Sequence, residues 1–240
     1  MKKIFIAVLL ILFAFTFNSF IKKQQRILVF SRTMGFHHKS IAAGNIAIQK
    51  LGMENGFAVD TTTDASFFSK KNLKKYNAVI FLSTTGDVLN DEQQKAFENY
   101  IQHGGGFAGI HAATDTEYDW PWYNKLVGAY FKSHPKQQNA VIHVTDTTFI
   151  ATKNLPFEWK RWDEWYNFKS LQLDGLHILL TIDEKSYTGG ENGDFHPMSW
   201  YHEFDGGRAF YTELGHTDEA FSEPFFLQHL LGGIKYAIGK

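Results

Sequence analysis

The chain predicts an α/β fold built on a mostly parallel, doubly wound sheet that carries an antiparallel hairpin near its C-terminus. Three observations lead there. Short apolar, β-branched runs alternate with helical patterns from Arg26 to Ile110, the order that right-handed crossovers turn into parallel neighbours. The second half reads as successive strands, with Asp205-Gly206-Gly207 as a hairpin turn between the last two. Finally, 240 residues, 44% of them hydrophobic and none of them cysteine, can bury a substantial core without disulfides or a structural metal.

In chain order, Arg26–Ser31 is a short apolar strand of the kind that is buried on both faces. A helix from about Ser40 to Leu51 sets Ile41, Ile48 and Leu51 on one side and ends near Gly52. Phe57–Thr62 and Asn77–Ser83 are the next two strands. Asn90 caps a helix with Asp91 and Glu92 in its first turn, Phe97, Tyr100 and Ile101 on its apolar face, and Gly104-Gly105-Gly106 as its stop. Phe107–Ile110 is a fourth strand, and a helix ending near Tyr130 follows the corner at Trp120-Pro121-Trp122. Gln138–Val144, Leu176–Ile182, Met198–Phe204 and Arg208–Leu214 are strand-like. A last helix, from about Glu219 to Ile238, buries Phe225, Phe226, Leu230, Ile234 and Ala237. With no internal repeat, low-complexity tract or linker, residues 26–240 read as one domain.

Residues 1–25 stand apart. Met1-Lys2-Lys3 is a basic n-region, and the apolar run from Ile4 to Phe17 falls short of the roughly 20 residues that span a bilayer, so it reads as a secretory leader or an uncleaved N-terminal anchor. The expected location is the periplasm or the exterior, with membrane contact only through that leader. Residues 1–25 hold four lysines and no acid, which leaves 20 basic against 25 acidic residues in the remainder. That balance lacks the basic footprint of a nucleic-acid binder. Zero cysteine excludes a thiol nucleophile and any cysteine-ligated metal. Oligomeric state leaves no mark in the sequence.

In open α/β sheets ligands bind beyond the carboxyl ends of the strands. Four turns there carry chemistry: Ser31 to Ser40 with His38, Thr84 to Asp87, His111 to Asp115, and Gly215 to Asp218 with His216. His111 with Asp115 is a natural acid/base pair, the carboxylate fixing the imidazole tautomer. Glu164 lies between aromatics in Trp162-Asp163-Glu164-Trp165-Tyr166, a setting expected to raise its pKa, whereas Asp163 reads as a surface acid. Tyr166 and Trp120 are candidates for stacking on a sugar, and His38, Ser40, Asp87, His134 and His202 for holding its hydroxyls. No cofactor is assigned. His38, His111, His134, His202 and His216 could with a carboxylate hold a divalent ion such as zinc, but no H-x-H, H-x-x-x-H or H-E-x-x-H pair is present. Every ligand would come from a different loop.

Gly104-Gly-Gly-Phe-Ala-Gly-Ile-His-Ala-Ala-Thr-Asp115, Tyr118-Asp-Trp-Pro-Trp122, Asp163-Glu-Trp-Tyr-Asn167 and Gly215-His-Thr217, in that order, resemble the trehalose-utilisation (ThuA-like) family from about Arg26 to Gly239. The resemblance implies a flavodoxin-like three-layer sandwich similar to class I glutamine amidotransferases. It also implies a role in the catabolism of trehalose or another disaccharide, acting on a glycoside or 3-keto-sugar. Amidotransferases keep a cysteine on the tight turn after a central strand; here His111 stands at that place, so thioester chemistry is excluded. Two readings follow: an acid/base enzyme using His111, Asp115, Glu164 and His216 on a small sugar, or a non-catalytic carbohydrate-binding protein on the same fold.

Overall fold

The computed structural model describes residues 24–240, so the leader or anchor expected at residues 1–25 lies almost wholly outside the described residues. Eleven strands and five α-helices follow: β1 (Gln25–Phe30), α1 (Ile41–Asn55), β2 (Phe57–Thr62), α2 (Lys70–Leu73), β3 (Ala78–Leu82), α3 (Asp91–Gln102), β4 (Gly106–Ile110) and α4 (Pro121–Val127). Then come β5 (Tyr130–Ser133), β6 (Gln138–Val144), β7 (Glu158–Asp163), β8 (Asn167–Lys169), β9 (His177–Ile182), β10 (Pro197–Phe204), β11 (Gly207–Thr212) and α5 (Pro224–Ile238).

Nine strands form one sheet in the order β2-β1-β3-β4-β11-β10-β9-β6-β7. The first five are mutually parallel, with β3 and β4 in register from Ala78↔Gly106 to Leu82↔Ile110 and β11 continuing from Arg208↔Gly106. The remaining pairs are antiparallel. This is the flavodoxin-like α/β arrangement with its C-terminal hairpin. Asp205 and Gly206 both take positive φ, 48° and 89°, as a two-residue hairpin loop matched to strand twist requires. The wholly buried β3 and β4, and β1 from Ile27 to Phe30, explain why these runs read as continuously apolar. The Asn90–Gln93 capping box fixes the start of α3.

Differences from the sequence reading have local causes. α5 begins at Pro224, because the residue before a proline avoids helical backbone; Glu219–Ser222 is a separate 3₁₀ turn. Phe225 is 42% exposed rather than buried. α4 stops at Val127, where Gly128 takes φ 96°, and Tyr130 already lies in a strand. β5 and β8 form a small separate antiparallel pair.

Candidate active site

The parallel strands β1, β3, β4 and β11 deliver their carboxyl ends to one edge. Short links knit the turns that leave them: Thr33 bridges Thr85, Gly86 bridges Thr116, and the Ser40 hydroxyl donates to the Gly215 carbonyl at 3.1 Å. Ser40 therefore braces two loops and is itself wholly buried.

His111 follows β4 directly with φ 51°, a left-handed backbone at the tight turn expected from the sequence. Gly109, Ala112 and Ala113 are small so that this turn can pack: a Cβ at Gly109 would meet Ala113 and Tyr211 at 3.0 Å. The His111 Nδ1 lies 2.7 Å from the Glu213 carbonyl. A carbonyl only accepts, so Nδ1 carries the hydrogen and Nε2 presents a lone pair to the pocket. Nε2 lies 3.1 Å from His216 Nδ1 and 3.6 Å from Glu164 Oε2, and His216 Nδ1 lies 3.0 Å from the same oxygen. The other oxygen of Glu164 is 3.1 Å from Nδ1 of His134, whose side chain is 43% exposed at the mouth. His38 meets the rings of His111 and His216 edge-on, at centroid distances of 4.8 and 5.1 Å. Its buried Nδ1 finds no hydrogen-bond partner among the described residues. Tyr166 covers the far side of His111, 4.5 Å between ring centroids.

The electrostatics differ from the sequence expectation at Glu164. Burial works against its charge, but the neighbouring His111 and His216 outweigh it and hold the carboxyl well below the ordinary range. The neighbours in sequence mislead, because Trp165 turns away and donates to the Gln138 carbonyl at 2.9 Å. Burial does raise Asp115, against the 2.6 Å hydrogen bond from the Tyr118 hydroxyl. Asp115 thus accepts from Tyr118, and the Glu213 carbonyl, not Asp115, orients His111. Burial, with the His111 and His216 rings close by to disfavour an added positive charge, pushes His38 down to about 2, so its ring is neutral at working pH.

Asp163 is wholly buried, not a surface acid. Its carboxylate accepts from the Arg161 guanidinium at 2.9 Å and from the backbone N–H groups of Glu164, Gly215 and His216 at 3.1, 3.1 and 3.2 Å. It thereby positions both Glu164 and His216. Glu213, also wholly buried, accepts from the Tyr166 N–H at 3.0 Å, and burial pushes its pKa up. An acid ending the apolar run Phe210-Tyr-Thr-Glu-Leu214 was the available signal for it.

Three sequence candidates lie apart from this cluster. Asp87 is exposed on the turn after β3. The Trp120 indole donates to Glu98 at 3.0 Å and stacks on Trp122 at 5.1 Å, a packed corner rather than a sugar platform. His202 is buried and donates to the Leu126 carbonyl at 2.9 Å.

His38, His111, Glu164 and His216 each offer one ligand atom, and these four atoms lie within 4.8 Å of one another. Beside them a cavity of about 360 Å³ is lined by Phe36, Lys39, Gln137, His216 and Asp218. It shares Gln137, Thr217 and Glu219 with a second hollow of about 540 Å³ that reaches the half-exposed Trp162. A further hollow of about 420 Å³ lies at the opposite end of the strands, but its Arg208 is engaged by the carbonyls of Gly104, Tyr236 and Ala237.

Comparison with known proteins agrees with this fold. The sequence profile of the ThuA family, described as trehalose utilisation, matches residues 26–237. No curated protein matches the chain. Among solved structures, a ThuA-like protein from Bacteroides uniformis is 26% identical, with TM-score 0.78 over 91% of this chain and 94% of that one. Another, from Parabacteroides merdae, is 22% identical with TM-score 0.75 over 91% of each. A β-galactosidase from Bacillus circulans shares the fold alone, at 11% identity and TM-score 0.59 over 90% of this chain and 31% of that one. The family points to carbohydrate metabolism, and the chain belongs to it: this is a ThuA protein of the class I glutamine amidotransferase-like superfamily.

Proposed function

We propose that the protein is an enzyme of carbohydrate catabolism that performs acid/base chemistry on a disaccharide, glycoside or 3-keto-sugar at the His38–His111–Glu164–His216 cluster. The carrying observation is that cluster itself: four side chains from separate turns converge within 4.8 Å at the carboxyl edge of the parallel strands. A buried, ionised carboxylate beside an imidazole whose lone pair faces the pocket is poised to polarise or deprotonate a sugar hydroxyl.

Proton traffic fits the mouth of the site. His134, its Nδ1 3.1 Å from Glu164 and hydrogen-bonded to the Pro135 carbonyl, is half-exposed and placed to exchange protons with solvent. Asp115, raised by burial, suits a general acid. Phe36, 65% exposed and 4.8 Å from the His38 ring, offers an apolar face to a sugar ring. The adjoining cavity of about 360 Å³ is in the range of small-ligand sites. The apolar run at residues 4–17 supports placing the activity in the periplasm or outside the cell.

The test is to incubate purified protein with trehalose, other disaccharides and their 3-keto forms, following products by NMR. Turnover of at least one of them, lost in Glu164→Gln, is expected. Saturable sugar binding without turnover would replace the enzyme by a carbohydrate-binding protein.

A further inference from the structure

We infer that His38, His111, Glu164 and His216 bind one divalent metal ion of the zinc type. Its binding rests on geometry alone; its use in catalysis rests on the function proposed above.

Three of the donors already form a triangle with sides of 3.0, 3.1 and 3.6 Å. Ligands about 2.0–2.1 Å from a tetrahedral zinc stand about 3.3 Å apart, so the triangle has the dimensions of one face of such a site. His38 stands over it as the fourth donor, all four atoms falling within 4.8 Å.

Hydrogen counting points the same way. The His111 hydrogen is committed to the Glu213 carbonyl, and Glu164 brings only lone pairs. The hydrogen on His216 Nδ1 is therefore the one hydrogen among three converging atoms, the other two being acceptors. His38 Nδ1, in a side chain only 3% exposed, has no hydrogen-bond partner among the described residues. A buried polar centre short of hydrogens is suited to a cation. Binding asks only that the His216 hydrogen pass through solvent from Nδ1 to Nε2, on a ring 16% exposed, with no net proton released.

The surroundings supply what metal ligands need. The Glu213 carbonyl fixes the His111 tautomer, and Asp163 anchors the backbone that carries Glu164 and His216. Three nitrogens, one carboxylate oxygen and no sulfur favour Zn²⁺ or Co²⁺ over Mg²⁺ or Ca²⁺. With the ion in place His111, His216 and Glu164 are ligands, and His134 and Asp115 are the groups left to move protons.

The test uses the whole chain, stripped with a chelator and titrated with Zn²⁺ and, separately, Co²⁺. One ion should bind per chain, and the Co²⁺ form should show the intense visible absorption of a four-coordinate centre. Free Zn²⁺ at a hundred times its Kd should raise Tm by about 5–10 °C. His38→Ala and Glu164→Gln should each weaken binding by at least about 100-fold, while His143→Ala, away from the cluster, should not. Metal-free melts of each variant report whether it folds, and His38→Ala removes a ligand without touching the Asp163 network. The inference is overturned if no ion is retained, or if a His38→Ala/His216→Ala double variant binds as the parent does. Sugar turnover by chelated protein would take the ion out of the chemistry but leave the proposed function standing. An ion bound with no turnover of any sugar would sustain the site and remove the function.

Discussion

Replacing Asp163 with alanine should be among the most damaging single changes in the protein. The carboxylate is wholly buried and accepts from Arg161 and three backbone N–H groups. Arg161 is itself buried among the Trp159 and Phe226 rings, and its remaining anionic partner is Glu223 at 3.3 Å. Breaking one side of a buried ion pair costs about 3–5 kcal/mol. Each orphaned N–H alone would cost about 1–3 kcal/mol, but water entering the space left behind restores part of that. A total near 4 kcal/mol is therefore expected. At about 2–4 °C per kcal/mol for a fold of this size, Tm should drop by about 8–16 °C. Asp163→Asn keeps an oxygen for the N–H groups while losing the charge opposite Arg161, and should fall between parent and alanine. Thermal melts with matching urea titrations measure all three. A surface acid, as the sequence alone suggested, would change stability by no more than about 0.5 kcal/mol. An Asp163→Ala melt within about 2 °C of the parent would refute the buried network.

His229 is buried, donating from Nδ1 to the Ala151 carbonyl and accepting at Nε2 from Thr212, and burial lowers its pKa to about 4. Because the unfolded chain takes up this proton near pH 6.5 and the folded one does not, its contribution is complete above that pH and is lost as pH falls through 6.5 towards 4. By pH 5 the parent should have lost about 2 kcal/mol more than His229→Gln, read from denaturant titrations at pH 7.5 and 5. Alanine for glycine inside a helix ordinarily gains up to about 1 kcal/mol, but a Cβ at Gly233 would sit 2.2 Å from the Phe210 ring. Gly233→Ala should instead lose about 1–3 kcal/mol, and a raised Tm would contradict the packing of α5 on β11. His134→Ala should cut turnover about 10²–10⁴-fold with Tm changed by less than about 2 °C; unchanged turnover would take His134 out of the proton path.

What could be read from the sequence follows from what burial does to composition. β1, β3 and β4 are enclosed on both faces, so they announce themselves as apolar runs, and Asp205-Gly206 is a turn that side-chain chemistry alone demands. β7 stayed hidden because its buried face alternates Trp159, Arg161 and Asp163, and two of those three look like solvent residues. Gly104-Gly105-Gly106 served two purposes where one was read. Gly104 stops α3 at φ 87°, whereas a Cβ on Gly106 would drive into the Ala237 carbonyl at 1.9 Å, so that glycine lets α5 close against β4.

The site was legible by position and illegible by detail, for a single physical reason. His38, His111, Glu164 and His216 lie more than fifty residues from one another in the pairs His38–His111, His111–Glu164 and Glu164–His216, so no short motif joins them. What brings three of them together is the parallel register of β1, β3, β4 and β11, which makes each strand's end a neighbour of the next. Knowing that rule is enough to name His111 and His216. It cannot reveal that a backbone carbonyl of Glu213 sets the His111 tautomer, because every residue carries a carbonyl. Residue type cannot separate His202 from His216, but strand direction does: one lies on β10 before the hairpin turn and donates to the Leu126 carbonyl inside the molecule. The other follows β11, whose carboxyl end opens at the rim. Residue type selects the chemistry available; strand direction decides which copies of that residue face the substrate.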